Sequence, residues 1–373
     1  MREIAALHQS AKQTPQRGIR HQDGDGLRRK CYDGPCNSGA GGCVRVEAEG
    51  LATGLTHYDP LSLGIAPGGC VIVDFTAFDG DPAGVAAHAE AWLNRLPCPS
   101  IALTTERVRL KGFDLSLPTP GEVERLEAVV AANPVASTVL VQTLRLIEQL
   151  PMQAGLVVES LAFATLQQGE EFRCWLAALP EQAQTPLSKP ADSPPLILER
   201  RDDMLDILLN RPEGRNEINV EMRDALFEAF SLAAMDDDVK RVHVRGAGDS
   251  FSIGGALSDF GRVGSGAAGH FIRSERLPAR MLADHGHKYH FHLHGACVGA
   301  GVEIAAFGGH VTATPTAFLR LPEVSMGLIP GAGGCVSVTK RIGRQGAAWL
   351  MMTGQRISAR TALKWGLIDA IEN

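Results

Sequence analysis

The chain has 373 residues, of which 45% are hydrophobic and 21% are charged, and its formal net charge is −6. This composition is that of an ordinary globular protein, and the length allows roughly two domains of about 150 residues each. A net acidic chain is a poor candidate for binding a phosphate backbone, so we expect no nucleic-acid partner. No apolar run reaches the ~18 residues of a membrane-spanning helix, so we expect no membrane partner.

The eight cysteines are too few for a secreted disulfide framework. Five of them lie among apolar neighbours, which predicts buried free thiols: Cys70, Cys98, Cys174, Cys297 and Cys335. The other three lack the paired CxxC spacing of a structural metal site: Cys31, Cys36 and Cys43. We therefore predict a cytoplasmic protein with no metal site.

The N-terminal half is predicted to contain a tail, a small α/β unit and a helical region. Residues 1–50 show neither a helical nor a strand period, and we predict a disordered tail. Residues 51–180 form the next region, in which a strand at Cys70–Phe75, a helix from Pro82 and a strand at Pro97–Leu103 make one βαβ unit. Apolar residues at three- and four-residue intervals predict helices over residues 122–179.

A proline-rich linker over residues 181–195 separates this half from a second α/β region, residues 196–373. The second region is predicted to begin with a hairpin and an amphipathic helix from Asn219 to Ala234, with Asn219 as its N-cap. Strands at 239–245 and 288–294 follow, and each leads into a glycine-rich turn and a helix. The expected fold class is therefore α/β.

Two of these strand–glycine–helix turns suit ligand binding. They are Asp249–Leu257 and His294–Ile304. Glycines let a ligand approach the backbone closely, and a helix N-terminus offers unpaired N–H donors. Two such turns in successive units could place two N–H groups around one oxygen, which is an oxyanion hole suited to an enolate or a thioester.

Two glutamates near these turns lie among apolar residues. Glu303 falls within the helix after the second turn, and Glu323 follows Pro322 in another apolar segment. An unpaired carboxylate in such surroundings is costly, so each is either paired, protonated or functional. Two acids beside a two-donor site favour general acid–base chemistry over a purely structural role.

Residues 196–373 resemble the crotonase superfamily, the enoyl-CoA hydratase/isomerase family. The motifs that carry the resemblance occur in the family's order: Asn210–Asn219, Ser250–Gly255, Gly299–Glu303, Leu321–Gly334 and Gly366–Ile371. The resemblance implies a core of repeated ββα units, with an additional helical region in this chain. It also implies an acyl-CoA substrate, no cofactor beyond the coenzyme A of that substrate, and a homo-oligomer that is a trimer or a hexamer.

The resemblance also implies roles for individual residues. The backbone N–H groups of Gly255 and Ala300 would form the oxyanion hole, and Glu303 and Glu323 would activate water and donate the α-proton. Substrate contacts would come from the same turns: Gly255, Ala256, Leu257, Ser258 and Ala300. This chain departs from the family pattern where Ala256 replaces an acid and Glu217 replaces a small residue.

Because isomerases and hydrolases of the family usually lack one of the two glutamates, the pair favours an enoyl-CoA hydratase, a lyase. Two alternatives stay open. One is another crotonase reaction, by an isomerase, a hydrolase or a decarboxylase. The other is a non-catalytic protein that binds acyl-CoA.

A histidine-rich strand and three arginines are further candidates. His290, His292 and His294 alternate along the strand, so a metal ligand set is conceivable. A carboxylate or cysteine ligand with suitable spacing is missing, and we prefer the interpretation that these histidines only line one face of a strand. The nucleotide part of coenzyme A could be bound by Arg341, Arg344 or Arg356.

The order of segments suggests a rearrangement. Family members continue after the Gly-Leu-Ile-Asp segment into helices that cover the active site and build a trimer, whereas this chain ends at Asn373. Residues 122–179 resemble those helices, notably in Val129–Pro134, Gly155–Ser160 and Gly169–Leu176. We therefore hypothesise that helices encoded before the core do the work of those usually encoded after it.

Overall fold

A computed structural model describes residues 19–21, 42–105, 108–181, 185, 187 and 193–372. These residues form a five-stranded sheet, a six-stranded sheet and a three-stranded sheet, with helices packed around them. The α/β class predicted from the sequence, with an additional helical region, is confirmed.

The five-stranded sheet is built from the N-terminal part of the chain, and its strands are adjacent in chain order. The first pair is antiparallel and the remaining pairs are parallel. The strands are β1 Ile19–His21, β2 Val44–Glu47, β3 Val71–Asp74, β4 Ser100–Leu103 and β5 Leu115–Leu117, with helices α1 Ala48–Thr53 and α2 Pro82–Leu93 between them. The predicted βαβ unit is confirmed as β3, α2 and β4, and the Asp81 carboxylate caps α2 by accepting N–H bonds from Ala83 and Gly84.

The predicted tail boundary at residue 50 is wrong, because Val44–Glu47 pairs in register with Val71–Asp74. Alternating buried residues, Val44 and Val46, fix this strand against the sheet core. Most of the predicted tail, residues 1–18 and 22–41, lies outside the described residues, as does most of the predicted linker.

The prediction of a free thiol is also wrong for two of the five cysteines. Cys70 forms a disulfide with Cys43, and Cys174 is disulfide-bonded as well. Cys98, Cys297 and Cys335 are free and buried, as predicted. Disulfides are rare in reducing compartments, so the cysteines do not support the predicted cytoplasmic location.

Four helices follow the five-stranded sheet and confirm the predicted helical region. They are α3 Pro120–Ala132, α4 Pro134–Ile147, α5 Met152–Leu166 and α6 Glu170–Ala177. In the described part of the chain no single helix is long and apolar enough to cross a membrane, and α3 and α4 reach that length only together, across a bend of 109°.

The second α/β region, residues 196–373, is called the core region from here on, and it contains the other two sheets. The six-stranded sheet has the order β14-β11-β9-β8-β7-β6, and the three-stranded sheet has the order β10-β12-β13. The strands are β6 Leu196–Arg201, β7 Met204–Leu209, β8 Arg241–Gly246, β9 Tyr289–Leu293, β10 Ala296–Val298, β11 His310–Ala313, β12 Phe318–Arg320, β13 Ile357–Ser358 and β14 Ala370–Ile371. The helices are α7 Val220–Met235, α8 Gly266–Arg276, α9 Ala279–His285, α10 Ala300–Ala305, α11 Gly334–Thr353 and α12 Ala359–Trp365.

Several local predictions for this region are confirmed. Strands β6 and β7 form the expected antiparallel hairpin. The Asn219 side chain caps α7 by accepting the Met222 N–H at 2.9 Å. The short strand β10 was not predicted, because its three residues were attributed to the glycine-rich turn before α10.

The helical region packs directly on the core. Helices α4 and α5 contact α11, and α5 also contacts α8 and α9. Their buried faces, including Leu140, Leu144 and Leu156, belong to the same apolar cluster as Val336 and Val338 of α11. Arg344 of α11 adds an ion pair to this contact, because it lies 3.3 Å from Glu148, which directly follows α4. The helices encoded before the core therefore cover part of it.

Candidate active site

The two predicted glycine turns lie against each other. The Val298 N–H donates to the Ser252 carbonyl at 3.0 Å, which joins the strand before the second turn to the first turn. Gly254 has a φ of +88°, and a Cβ there would lie 2.6 Å from the Val298 oxygen and 3.3 Å from the Ala300 nitrogen. Both the backbone conformation and the close approach therefore require glycine.

Two N–H groups are left available at this junction. Neighbouring backbone groups of the first turn are paired: the Gly254 carbonyl accepts from Ile218 at 2.7 Å, and the Ala256 N–H donates to Ile218 at 3.2 Å. Within the described ranges, the N–H groups of Gly255 and Ala300 donate to no protein acceptor. Ala300 is the first residue of α10, where helical N–H groups have no intrahelical partner. The predicted oxyanion donors are thus close together and unpaired.

Glu303 lies in the first turn of α10 and is 2% exposed. Its Oε2 atom accepts the N–H groups of Ala332 at 2.7 Å and Gly334 at 2.9 Å. Burial raises the pKa of this carboxyl to about 7, while the two N–H donors oppose the shift. Glu303 is therefore fixed in position and titrates near neutrality.

Glu323 begins a short 3₁₀ turn, Glu323–Met326, and is 8% exposed. Its Oε1 atom borders the second glycine turn, since a Cβ on Gly299 would lie only 2.8 Å from it. Its Oε2 atom is buried and has no hydrogen-bond partner among the residues described. Burial, reinforced by the nearby Glu303 charge, raises the pKa of Glu323 well above its usual range.

A third buried carboxylate, Glu159, was not predicted. It comes from α5 in the helical region, is 1% exposed, and accepts the N–H groups of Gly333 at 2.7 Å and Cys335 at 2.8 Å. Burial and then the Glu303 charge raise its pKa well above the usual range. In the sequence it interrupts the apolar run of α5, and that interruption is the one signal that could have identified it.

Aromatic side chains from the helical region border the same site. Phe163 of α5 packs on the segment after Glu323, because a Cβ on Gly331 would lie 2.4 Å from its ring. Phe260 lies beside the first glycine turn, where a Cβ on Gly255 would be 3.2 Å from its ring. Phe260 also contacts Trp175, with ring centroids 6.0 Å apart. Phe172 of α6 completes this cluster. The site is therefore lined by apolar side chains from both halves of the chain.

The remaining predicted residues fall into two groups. Ala256 and Ser258 are buried and Leu257 is half-buried, and all three lie directly after the first turn.

Arg341 donates to the carbonyls of Ala306 and Gly308 and pairs with Asp369. Arg344 is buried against Asn94 and Phe113, and Arg356 stacks on Phe318. Arg341 and Arg344 are thus engaged inside the protein, so they are poor candidates for binding the nucleotide of coenzyme A.

Comparison with known proteins identifies the core region. The family model described as enoyl-CoA hydratase/isomerase matches residues 199–372. The 2,3-dehydroadipyl-CoA hydratase of Escherichia coli (strain K12) is 29% identical over 176 residues, which are 47% of this chain and 68% of that protein. The carnitinyl-CoA dehydratase of Proteus mirabilis (strain HI4320) is 26% identical over 176 residues, 47% of this chain and 67% of that protein.

A solved structure, the enoyl-CoA hydratase from Thermoplasma volcanium GSS1, is 33% identical, with a TM-score of 0.43; the match covers 48% of this chain and 72% of that one. Residues 199–372, which the family model matches, hold both glycine turns, Glu303 and Glu323. Residues 199–372 of the chain therefore match the enoyl-CoA hydratase/isomerase family.

Proposed function

We propose that this protein is an enoyl-CoA hydratase-like lyase, which adds water to a 2-enoyl-CoA thioester. The observation that carries the proposal is the pair of buried carboxylates, Glu303 and Glu323, beside two unpaired N–H groups. Hydration needs a base for water, an acid for the α-carbon and a site for the enolate oxygen, and these groups supply all three.

The environments of the two carboxylates assign their roles. Two N–H donors stabilise the carboxylate form of Glu303, whose pKa is about 7, whereas Glu323 has a buried partnerless oxygen and a pKa raised well above its usual range. These environments favour the ionised form of Glu303 and the protonated form of Glu323. Environments that favour opposite protonation states in this way divide the work between a base and an acid.

The reaction then follows from the geometry. Glu303 removes a proton from water, and the oxygen of that water forms a bond to the β-carbon of the enoyl group. The thioester oxygen takes up the electron pair as an enolate, which accepts the N–H groups of Gly255 and Ala300. The enolate collapses as Glu323 donates its proton to the α-carbon. The product is a 3-hydroxyacyl-CoA, and the proton that Glu303 holds returns to Glu323 through solvent.

The names of relatives support water addition or removal as the reaction type. The relatives with matched segments include a hydratase and a dehydratase of CoA thioesters. The aromatic cluster formed by Phe172, Trp175 and Phe260, together with Phe163 beside Gly331, favours an apolar acyl chain. We also propose a homo-oligomer, a trimer or hexamer, which light scattering of the full chain would test.

The decisive experiment incubates the protein with a short panel of 2-enoyl-CoA thioesters, crotonyl-CoA included, and identifies each product by mass. Loss of the enone absorbance with a product heavier by one water supports hydration. A product of unchanged mass would indicate an isomerase, and free coenzyme A would indicate a hydrolase. Unchanged substrate that nevertheless binds would indicate a non-catalytic acyl-CoA-binding protein.

A further inference from the structure

Three histidines converge on the face of the six-stranded sheet that points away from the core. His290 and His292 alternate along β9, and His243 on β8 stands directly beside His290 in the strand register. The residues between them, Val242, Val244 and Phe291, are buried in the core. The side chains of this histidine cluster (His243, His290 and His292) are half-buried on the opposite face.

The neighbouring strand supplies the ligand that β9 alone lacks. His243 Nδ1 lies 2.9 Å from His292 Nε2, and one nitrogen from each of the three rings falls within 4.8 Å of the others. A tetrahedral zinc ion needs about 3.4 Å between ligand nitrogens, because each Zn–N bond is about 2.1 Å. Small rotations of the imidazole rings would therefore bring the three nitrogens to the separations that a zinc ion needs. His294 does not join it, since its Nε2 lies 3.0 Å from the Gly248 carbonyl.

The surroundings orient the rings for a cation. His292 Nδ1 lies 3.1 Å from Thr312 Oγ1 on β11, which can accept its proton and leave the Nε2 lone pair free for the metal. The ring of His310 on β11 contacts the ring of His290, with centroids 4.5 Å apart and planes tilted by 35°. An outer partner that fixes tautomer and orientation is a common feature of metal-binding histidines.

The charges around the cluster also permit a cation. The two nearby arginines are each paired, Arg245 with Asp206 at 3.3 Å and Arg241 with Asp203 at 3.2 Å. Asp369 and Glu372 add negative charge on the His290 side.

We propose that His243, His290 and His292 bind one divalent transition-metal ion, with zinc as the best fit to a three-imidazole set and with the fourth position open to solvent. The ion would join β8 to β9 on the face opposite the core. This site is independent of the proposed reaction.

The test is zinc binding to the full chain, measured by equilibrium dialysis with metal analysis. We expect one zinc per chain. We also expect His243→Ala and His292→Ala each to weaken zinc binding by at least ~10–100-fold, which is the effect of losing a side chain that only hydrogen-bonds to a ligand. His287→Ala is the matched control, since His287 is exposed in the same segment and lies outside the cluster. Equal zinc binding by all four proteins, or no stoichiometric binding by the unmodified chain, would overturn the proposal.

A second measurement on the unmodified protein avoids dependence on the folding of the variants. Diethyl pyrocarbonate modifies accessible neutral imidazoles, and peptide mass spectrometry locates the modified histidines. We expect equimolar zinc to protect His243, His290 and His292 and to leave His287 reactive. Unchanged modification of the three cluster histidines in the presence of zinc would contradict the site.

Discussion

Glu159 and Glu303 bind alternate N–H groups of one turn. Glu303 accepts from Ala332 and Gly334, and Glu159 accepts from Gly333 and Cys335, all at 2.7 to 2.9 Å. One carboxylate comes from the core and the other from the helical region that precedes it. The turn at the start of α11 is therefore held from both halves of the chain, and one of the two groups that hold it is the proposed base.

Glu159→Gln should reduce kcat by roughly 10–100-fold, because displacing this turn displaces the N–H donors that position Glu303. The amide can accept only one of the two N–H bonds, so the unfolding free energy should also fall by about 1–3 kcal/mol. Denaturant unfolding and initial rates measure the two effects.

Glu171→Gln is the matched control for Glu159→Gln. Glu171 also accepts two N–H bonds, from Val135 at 2.7 Å and Ala136 at 2.9 Å, but at the start of α4. It should lower stability and leave kcat unchanged. Equal kcat values for the wild type and Glu159→Gln would show that the turn does not depend on Glu159 for catalysis.

The pH profile should report both carboxyl groups. Because Glu303 must be ionised and its pKa is about 7, kcat/KM for hydration should rise as the pH increases through that value. At higher pH it should fall again, as Glu323 loses the proton that it donates. Rates measured after brief exposure to each pH, with activity restored on return to pH 7 as the control, give the profile. A rate that stays constant through neutrality would exclude the assigned roles.

Ala300→Pro should lower kcat by about 10²–10³-fold, since it removes one oxyanion donor. Proline is tolerated at the first position of a helix, and Ala300 is the first residue of α10, so the fold should persist. Ala300→Gly, which keeps the N–H, is the control for local packing. An Ala300→Pro protein with a normal melting temperature and full activity would rule out this donor.

The Cys43–Cys70 disulfide should stabilise the five-stranded sheet without affecting catalysis. The two residues are 27 apart in sequence, and closing a loop of that size contributes about 3–4 kcal/mol through the entropy of the unfolded chain. We therefore expect Cys43→Ser/Cys70→Ser to unfold at lower denaturant concentration with an unchanged kcat. Alkylation of both cysteines in the unreduced native protein would show that the bond is absent.

The sequence predicted those parts of the structure for which the signal was local. Glycine-rich turns, an N-cap at Asn219 and the periodicity of apolar residues each reflect short-range geometry, and the turns, the cap and the βαβ unit are confirmed. The links that depend on tertiary contact were missed. Glu159 Oε1 accepts the N–H of Gly333, which lies 174 residues later in the chain. No pattern in the sequence connects two residues at that spacing.

The same limit explains the error on Cys70 and the neighbour of the β9 histidines that the sequence did not indicate. Cys70 has the apolar neighbours of a buried thiol, but β2 places Cys43 beside it. His290 and His292 lacked a third ligand along their own strand, but β8 brings His243 next to them. In both cases the partner lies on an adjacent strand, and strand pairing of this kind cannot be read from the spacing of residues along one segment.

The most direct test of the account replaces Glu303 and Glu323 separately by glutamine and measures hydration of the best enoyl-CoA substrate. General acid–base groups contribute about 10²–10⁴-fold each, so both variants should lose activity on that scale while still binding coenzyme A thioesters. Glu323→Gln should not lower the melting temperature, because it removes a buried carboxylate with a partnerless oxygen. Losses of less than about tenfold in both folded variants would contradict the proposal that these two carboxylates carry the reaction.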